Sequence, residues 1–157
     1  MSRIIVAAWH AERIKPYVRM TQKSKYVDRA AMTYMASQAH MGHVFKQFHT
    51  ERIDKGKPIR LAIEFNFTNH RCDLSNLLKA VEDAANKILW DDDRWIDELT
   101  VRRRERLPGE SKDLVSLYAE TIDPDDYGWQ TMTQRVIGKV CQVSAQAAKG
   151  ITEIHIV

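Results

Sequence analysis

Acidic residues and a lysine that could act together lie between positions 71 and 96, in the stretch RCDLSNLLKAVEDAANKILWDDDRWI. Asp73 stands near its start, Lys79 follows further along, and three consecutive acids occupy positions 91–93. Mg²⁺ in proteins is usually held by one or two carboxylates together with waters and substrate phosphate oxygens. The stretch is therefore a candidate magnesium site, although a plain polar turn explains the run of acids equally well.

The distribution of charge points toward the same chemistry. Residues 1–60 contain 12 Lys and Arg against 4 Asp and Glu, a net charge of +8, whereas residues 61–120 contain 9 against 13, a net charge of −4. A basic part beside clustered acids suits a metal-dependent enzyme that acts on phosphodiesters, because the metal neutralises carboxylates while Lys and Arg hold the phosphate backbone. On charge alone, a solvated charged surface is the simpler explanation.

Length and composition indicate one globular domain. The chain has 157 residues, of which 44% are hydrophobic and 29% are charged. No apolar run approaches the roughly 18 residues that a membrane helix needs, and the first residues lack the long apolar region of a signal peptide. Cys72 and Cys141 have no partners at metal-binding spacing, which argues against a disulfide framework and a zinc site. We expect a cytoplasmic protein that does not interact with membranes.

Two elements must position the acidic stretch. Apolar and polar residues alternate over residues 59–67, which predicts a strand with one buried face. An apolar stripe predicts a helix that Asp73 or Ser75 could cap and that runs to about residue 89. Such a helix is about 22 Å long. Asp73 therefore meets the acids at positions 91–93 only if the chain returns along the helix, which the spacing alone does not establish.

The remaining elements give a mixed α/β order. Patterns of apolar residues predict a strand at residues 4–9, a helix at 24–48, and strands at 95–106 and 113–121 that pair as an antiparallel hairpin. We expect a small mixed sheet packed with helices in a domain of residues 1–122. Residues 123–157 would then form a C-terminal extension, with a helix at 129–149 and a short strand at 152–157.

The acidic stretch resembles the RusA family of Holliday junction resolvases, whose pattern is R-x-D-x-D-N-x-x-K-x-x-x-D-A, followed after about eight residues by D-D-x-x-V. The resemblance extends over residues 4–121, and residues 16–25 resemble the basic segment found in many RusA-like proteins. The positions that match the pattern are Arg71, Asp73, Asn76, Lys79, Asp83, Ala84, Asp92 and Asp93, and Ile96 replaces the valine.

This resemblance implies a magnesium-dependent endonuclease that acts as a homodimer on four-way DNA junctions and is of bacterial or phage origin. Asp73 and Asp93 match metal ligands of the family, and Asp92 is a further candidate ligand. Lys79 matches the lysine whose positive charge can stabilise the phosphate or the departing oxygen.

One position departs from the family pattern. Ser75 stands where the family has its second aspartate, and it cannot supply a negative charge. Ser75 could reach Mg²⁺ through a water, another acid such as Asp92 or Asp83 could replace it, or cleavage could be weakened while DNA binding is kept. A serine here is also a good helix cap, which needs no catalytic explanation. We favour a working site with two carboxylates.

Basic residues on both sides of the acidic stretch are candidate phosphate contacts, although a solvated surface charge is the simpler explanation for each of them taken singly. Two rivals to the nuclease remain, namely a structure-selective DNA-binding protein that has lost cleavage and a plain interaction domain. The candidate DNA-binding residues are Arg19, Lys23, Lys25, Arg71, Arg102 and Arg104.

Overall fold

The computed structural model contains both strands and helices and describes residues 4–10, 15–21, 24–48, 52–67, 72–106 and 113–123. Within these ranges the fold is α+β, with one mixed sheet of four strands and two longer helices. The elements are β1 (Ile4–His10), α1 (Ser24–Val27), α2 (Arg29–Phe48), β2 (Ile59–Asn66), α3 (Leu74–Ala85), β3 (Ile96–Arg104) and β4 (Leu114–Thr121), with a 3₁₀ turn at Asp93–Trp95.

The strand order in the sheet is β1-β4-β2-β3. β2 pairs in parallel with β3, and β4 pairs in antiparallel fashion with β2 and with β1. The expected hairpin between β3 and β4 is therefore wrong, because β2 lies between these two strands. The helical crossover through α3 returns the chain so that β3 runs parallel to β2, which leaves the other edge of β2 free to pair with β4.

β2 is buried on both faces, so the expectation of one buried face is wrong. Its apolar side chains join the core beneath α2 and α3, as the alternation predicts. Its polar face is buried because neighbouring strands supply counter-charges. Arg60 is 1% exposed and forms ion pairs with Glu98 of β3 and Glu120 of β4, with 2.8 Å between Arg60 Nη1 and Glu120 Oε1. Glu64 pairs with arginines of β3.

The helix predicted at residues 24–48 is confirmed, with one interruption. The chain leaves the helix at Asp28, whose Oδ1 accepts a hydrogen bond of 2.8 Å from the backbone N–H of Ala30. Such a side-chain bond satisfies one of the free N–H groups at a helix start. α2 then buries Tyr34, Met41 and Phe45 in the core.

α3 ends at Ala85, before the expected end near residue 89. The chain turns there because Lys87 adopts a left-handed backbone conformation with φ of 67°. Two bonds between the ends of the turn hold it, one from Lys87 N to Trp90 O at 2.7 Å and one from Trp90 Nε1 to Asn86 Oδ1 at 2.9 Å. This turn starts the return of the chain toward β3.

The C-terminal extension and the expected lack of membrane helices are the two remaining points. The helix expected at residues 129–149 and the strand expected at 152–157 lie outside the described residues, so the C-terminal extension stays a prediction. Among the described residues, no helix is long and apolar enough to cross a membrane.

Candidate functional site

Lys79 lies at the centre of a cluster of charges. Its Nζ is 2.8 Å from Asp93 Oδ2 and 3.0 Å from Asp83 Oδ1. α3 supplies Lys79 and Asp83 one helical turn apart, which places both on one face. Asp93 comes from the 3₁₀ turn before β3. The structure thus brings together two of the three residues predicted to act in catalysis, Lys79 and Asp93.

The surroundings favour a positive charge on Lys79. Its hydrogen bond to Asp93, followed by that to Asp83, raises the pKa of Lys79 although partial burial opposes the shift. The ammonium group of Lys79 therefore stays charged at the pH of ordinary nuclease assays. The neighbouring Glu82 is half-buried, and this burial raises the pKa of its carboxyl group. The charge of Lys79 opposes this shift, while the carboxylates of Asp93 and Asp83 add to it.

Tyr34 extends the cluster into the core and is a residue that sequence reasoning missed. Its hydroxyl donates a hydrogen bond of 3.1 Å to Asp83 Oδ2, while the side chain is only 2% exposed. Burial, together with the adjacent carboxylate of Asp83, raises the pKa of Tyr34, so the hydroxyl remains a donor. The only signal in the sequence is a tyrosine at a core position of a helix, where its hydroxyl needs a partner.

Asp73 and Ser75 lie at the start of α3 and are both exposed. Asp73 occupies the N-cap position, with φ of −64° and ψ of 136°, but its side chain makes no capping bond. Its carboxylate is therefore not used to cap α3. Arg103 of β3 donates a side-chain hydrogen bond to the carbonyl of Cys72, which ties β3 to the residue before Asp73.

Asp73 and Asp93 lie at opposite ends of the β2-α3-β3 unit. Asp73 follows the carboxyl end of β2 and Asp93 precedes the amino end of β3, and these strands are parallel. Within the described ranges, no group of three or more His, Cys, Asp or Glu residues is placed to hold a metal ion. Each carboxylate separately suits Mg²⁺, which accepts one or two carboxylates and completes its coordination with waters.

Asp92 has a local structural role. It is the N-cap of the 3₁₀ turn, and its carboxylate accepts hydrogen bonds from Arg94 N at 3.1 Å and Arg94 Nη2 at 3.0 Å. These bonds to Arg94 lower the pKa of Asp92. Its oxygens therefore have partners already.

The basic segment lies against the start of α3. The backbone N–H of Tyr17 donates a hydrogen bond of 2.9 Å to the carbonyl of Asn76, and the exposed Arg19 follows two residues later. This contact brings the segment near Asp73, which the sequence did not predict. Lys23 and Arg71 lie outside the described residues, as does the side chain of Lys25.

Arg102 and Arg104 have an acidic partner within the sheet. Arg102 forms an ion pair with Glu64 Oε2, and Arg104 Nε lies 3.2 Å from Glu64 Oε1. The side chain of Glu64 is 1% exposed, while those of Arg102 and Arg104 are 37% and 24% exposed. Part of the positive charge expected to meet DNA is therefore balanced by Glu64.

Comparison with known proteins gives a family. The family model described as Endodeoxyribonuclease RusA matches residues 8–112, a range that contains Asp73, Lys79, Asp93 and the elements from β2 to β3. No curated protein matches the chain. Since the match extends over more than half of the sequence, the chain belongs to the RusA family of endodeoxyribonucleases.

Proposed function

We propose that the chain is a magnesium-dependent endodeoxyribonuclease that cuts four-way or other branched DNA junctions as a homodimer. The observation that carries this proposal is the Lys79 ammonium group held 2.8 Å from Asp93 in a chain of the RusA family. The negative charge on the scissile phosphate increases during cleavage. A cation that lies beside a metal-binding carboxylate can stabilise this charge.

We assign the roles as follows. Asp73 and Asp93 would hold Mg²⁺, with Ser75 contributing through a water, while Asp92 remains bound to Arg94. The bound ion would supply charge neutralisation at the scissile phosphate and would polarise a bound water. Lys79 stabilises the negative charge on the phosphate or on the departing oxygen.

DNA contacts would come from basic residues around the site. Arg19 is the best supported of these, because the hydrogen bond between Tyr17 and Asn76 holds its segment against the start of α3. Arg102 and Arg104 would also contact phosphates, because the single negative charge of Glu64 balances only part of their combined positive charge. Lys23, Lys25 and Arg71 remain candidates on their sequence positions.

A nicking assay tests the proposal. The wild-type chain is incubated with a labelled four-way junction in Mg²⁺ or in EDTA, with a linear duplex of the same sequence as the control substrate. We expect cleavage of the junction only in Mg²⁺, and a loss of about 100-fold in kcat for Lys79→Met, since one well-placed charge contributes on this scale. Equal cleavage of the linear duplex, or wild-type kcat in Lys79→Met, would contradict the assigned function.

A second candidate is a junction-binding protein that no longer cleaves. Ser75 is exposed in the first turn of α3 and provides no carboxylate where the family has one, which favours this alternative. Gel shifts of the junction with the same protein decide between the two functions. Specific binding without nicking in Mg²⁺ would support the binding protein.

A further inference from the structure

Lys79 has two carboxylate partners, and only one of them is a proposed metal ligand. The distances from Nζ are 2.8 Å to Asp93 Oδ2 and 3.0 Å to Asp83 Oδ1. When Asp93 binds a cation, the attraction between Asp93 and Lys79 is reduced and the cation repels the ammonium group. Asp83 is then the remaining partner that can keep Lys79 beside the scissile phosphate.

The orientation of Asp83 is fixed from the core. Its two oxygens have different partners, with Oδ1 facing Lys79 and Oδ2 accepting the hydrogen bond of 3.1 Å from Tyr34. α2 and α3 are also joined by a bond of 2.7 Å from Gln38 Nε2 to the carbonyl of Ala80. An ordinary surface pair one helical turn apart has no such support and contributes only a few tenths of a kcal/mol.

We propose that Asp83, oriented by the Tyr34 hydroxyl, is a positioning residue that retains Lys79 when Asp93 binds the metal ion, an inference that rests on the proposed function. Without the carboxylate at position 83, the ammonium group has Asp93 as its remaining partner in this cluster and competes with the metal for it. Loss of Asp83 should therefore weaken metal binding and reduce kcat, while the KM for the junction changes little.

The first experiment measures Mn²⁺ binding by electron paramagnetic resonance in the full-length protein without DNA, since Mn²⁺ shares the preference of Mg²⁺ for oxygen ligands. We expect the dissociation constant to rise about threefold in Asp83→Asn, as suits a half-exposed ion pair. Asp83→Glu should restore most of the affinity, and Tyr34→Phe should weaken it to a lesser degree. Asp91→Asn is the matched control, because Asp91 pairs with Lys87 at the same separation in the sequence, with 3.2 Å between Lys87 Nζ and Asp91 Oδ1.

A double-mutant cycle separates positioning from direct coordination. If Asp83 acts through Lys79, Asp83→Asn has no further effect on Mn²⁺ affinity in a Lys79→Met background. An equal loss of affinity in both backgrounds would make Asp83 a metal ligand and overturn the inference. Unchanged Mn²⁺ affinity in Asp83→Asn, or no Mn²⁺ binding by the wild type, would also overturn it.

Nicking kinetics complete the test. We expect kcat of Asp83→Asn to fall about tenfold, because a misplaced catalytic group reduces the rate on this scale, and KM to stay within about twofold. If the wild type binds Mn²⁺ but does not nick, the nuclease proposal fails while the Mn²⁺ cycle still decides the role of Asp83. If Asp83→Asn does not fold, the Mn²⁺ affinity and the kcat of Tyr34→Phe, which keeps every charge, decide the role of Asp83.

Discussion

Asp73 offers an exposed carboxylate that is not used as a helix cap. If it binds the metal ion, Asp73→Asn removes a ligand charge while keeping the shape of the side chain. We expect the cleavage rate of this variant to fall by at least about 100-fold, as for other charges at the reacting centre. Its affinity for the junction should equal or slightly exceed that of the wild type, because a charge that repels the phosphates has been removed. Nicking and gel-shift assays on the same preparation check both results, and near wild-type nicking would contradict the ligand assignment.

Ser75 lies in the first turn of α3, one position beyond the first helical residue. An aspartate there is favourable for the helix dipole and should leave the fold intact. Ser75→Asp should therefore raise the nicking rate or lower the Mg²⁺ concentration needed for half-maximal activity. A Mg²⁺ titration of the wild type and the variant measures this, with Ser75→Asn as the uncharged control. Reduced activity would mean that the site depends on the hydroxyl group.

Local elements were predictable because their signals lie in adjacent residues. The alternation over β2 and the apolar stripe of α3 each report which side chains face the core, and both elements begin where expected, although α3 ends early at Ala85. Pairing partners were not predictable in this way, because a two-residue period is the same in a hairpin and in a parallel crossover. The contact of Lys79 with Asp93 depends on the turn at Lys87, which no periodic pattern marks.

The polar face of β2 shows the same limit at the level of the sheet. Arg60 and Glu64 look like exposed residues in the sequence, but cross-strand neighbours on β3 and β4 neutralise them. Arg60 lies opposite Glu98 and Glu120, and Glu64 lies opposite Arg102. Charge complementarity across a sheet can be recognised only once the register is known.

Neutralising Glu64 tests how much this face contributes to stability. Glu64→Gln keeps the shape but leaves Arg102 and Arg104 without the charge that their ion pairs use. We expect the free energy of unfolding to fall by about 1–3 kcal/mol, less than for a fully buried pair because both arginines are partly exposed. Urea unfolding followed by circular dichroism measures the change, and Lys46→Gln on the exposed side of α2 is the control. A change below about 0.5 kcal/mol, the usual range for surface substitutions, would show that the pairs contribute little.

At the scale of the whole molecule, the position of the two carboxylates bears on the proposed dimer. Asp73 follows β2 and Asp93 precedes the parallel strand β3, so the site that joins them is built either within one chain or between two protomers. In a twofold dimer the same surface of each subunit faces the other, which can bring Asp73 of one protomer to Asp93 of its partner. Such a dimer would have two equivalent sites, one for each of two opposed strands of a four-way junction.

Mixing two inactive variants tests this arrangement. Asp73→Asn and Asp93→Asn are each expected to be inactive alone. If every site combines Asp73 of one protomer with Asp93 of the other, a mixed dimer has one site with both carboxylates and one site with neither. Random exchange of protomers then restores about a quarter of the wild-type sites, and each mixed dimer should nick only one strand of a junction. Co-refolding the two variants and counting nicked strands measures this, with the separately refolded variants as controls. If the mixture stays inactive although light scattering detects dimers, both carboxylates must act within one chain.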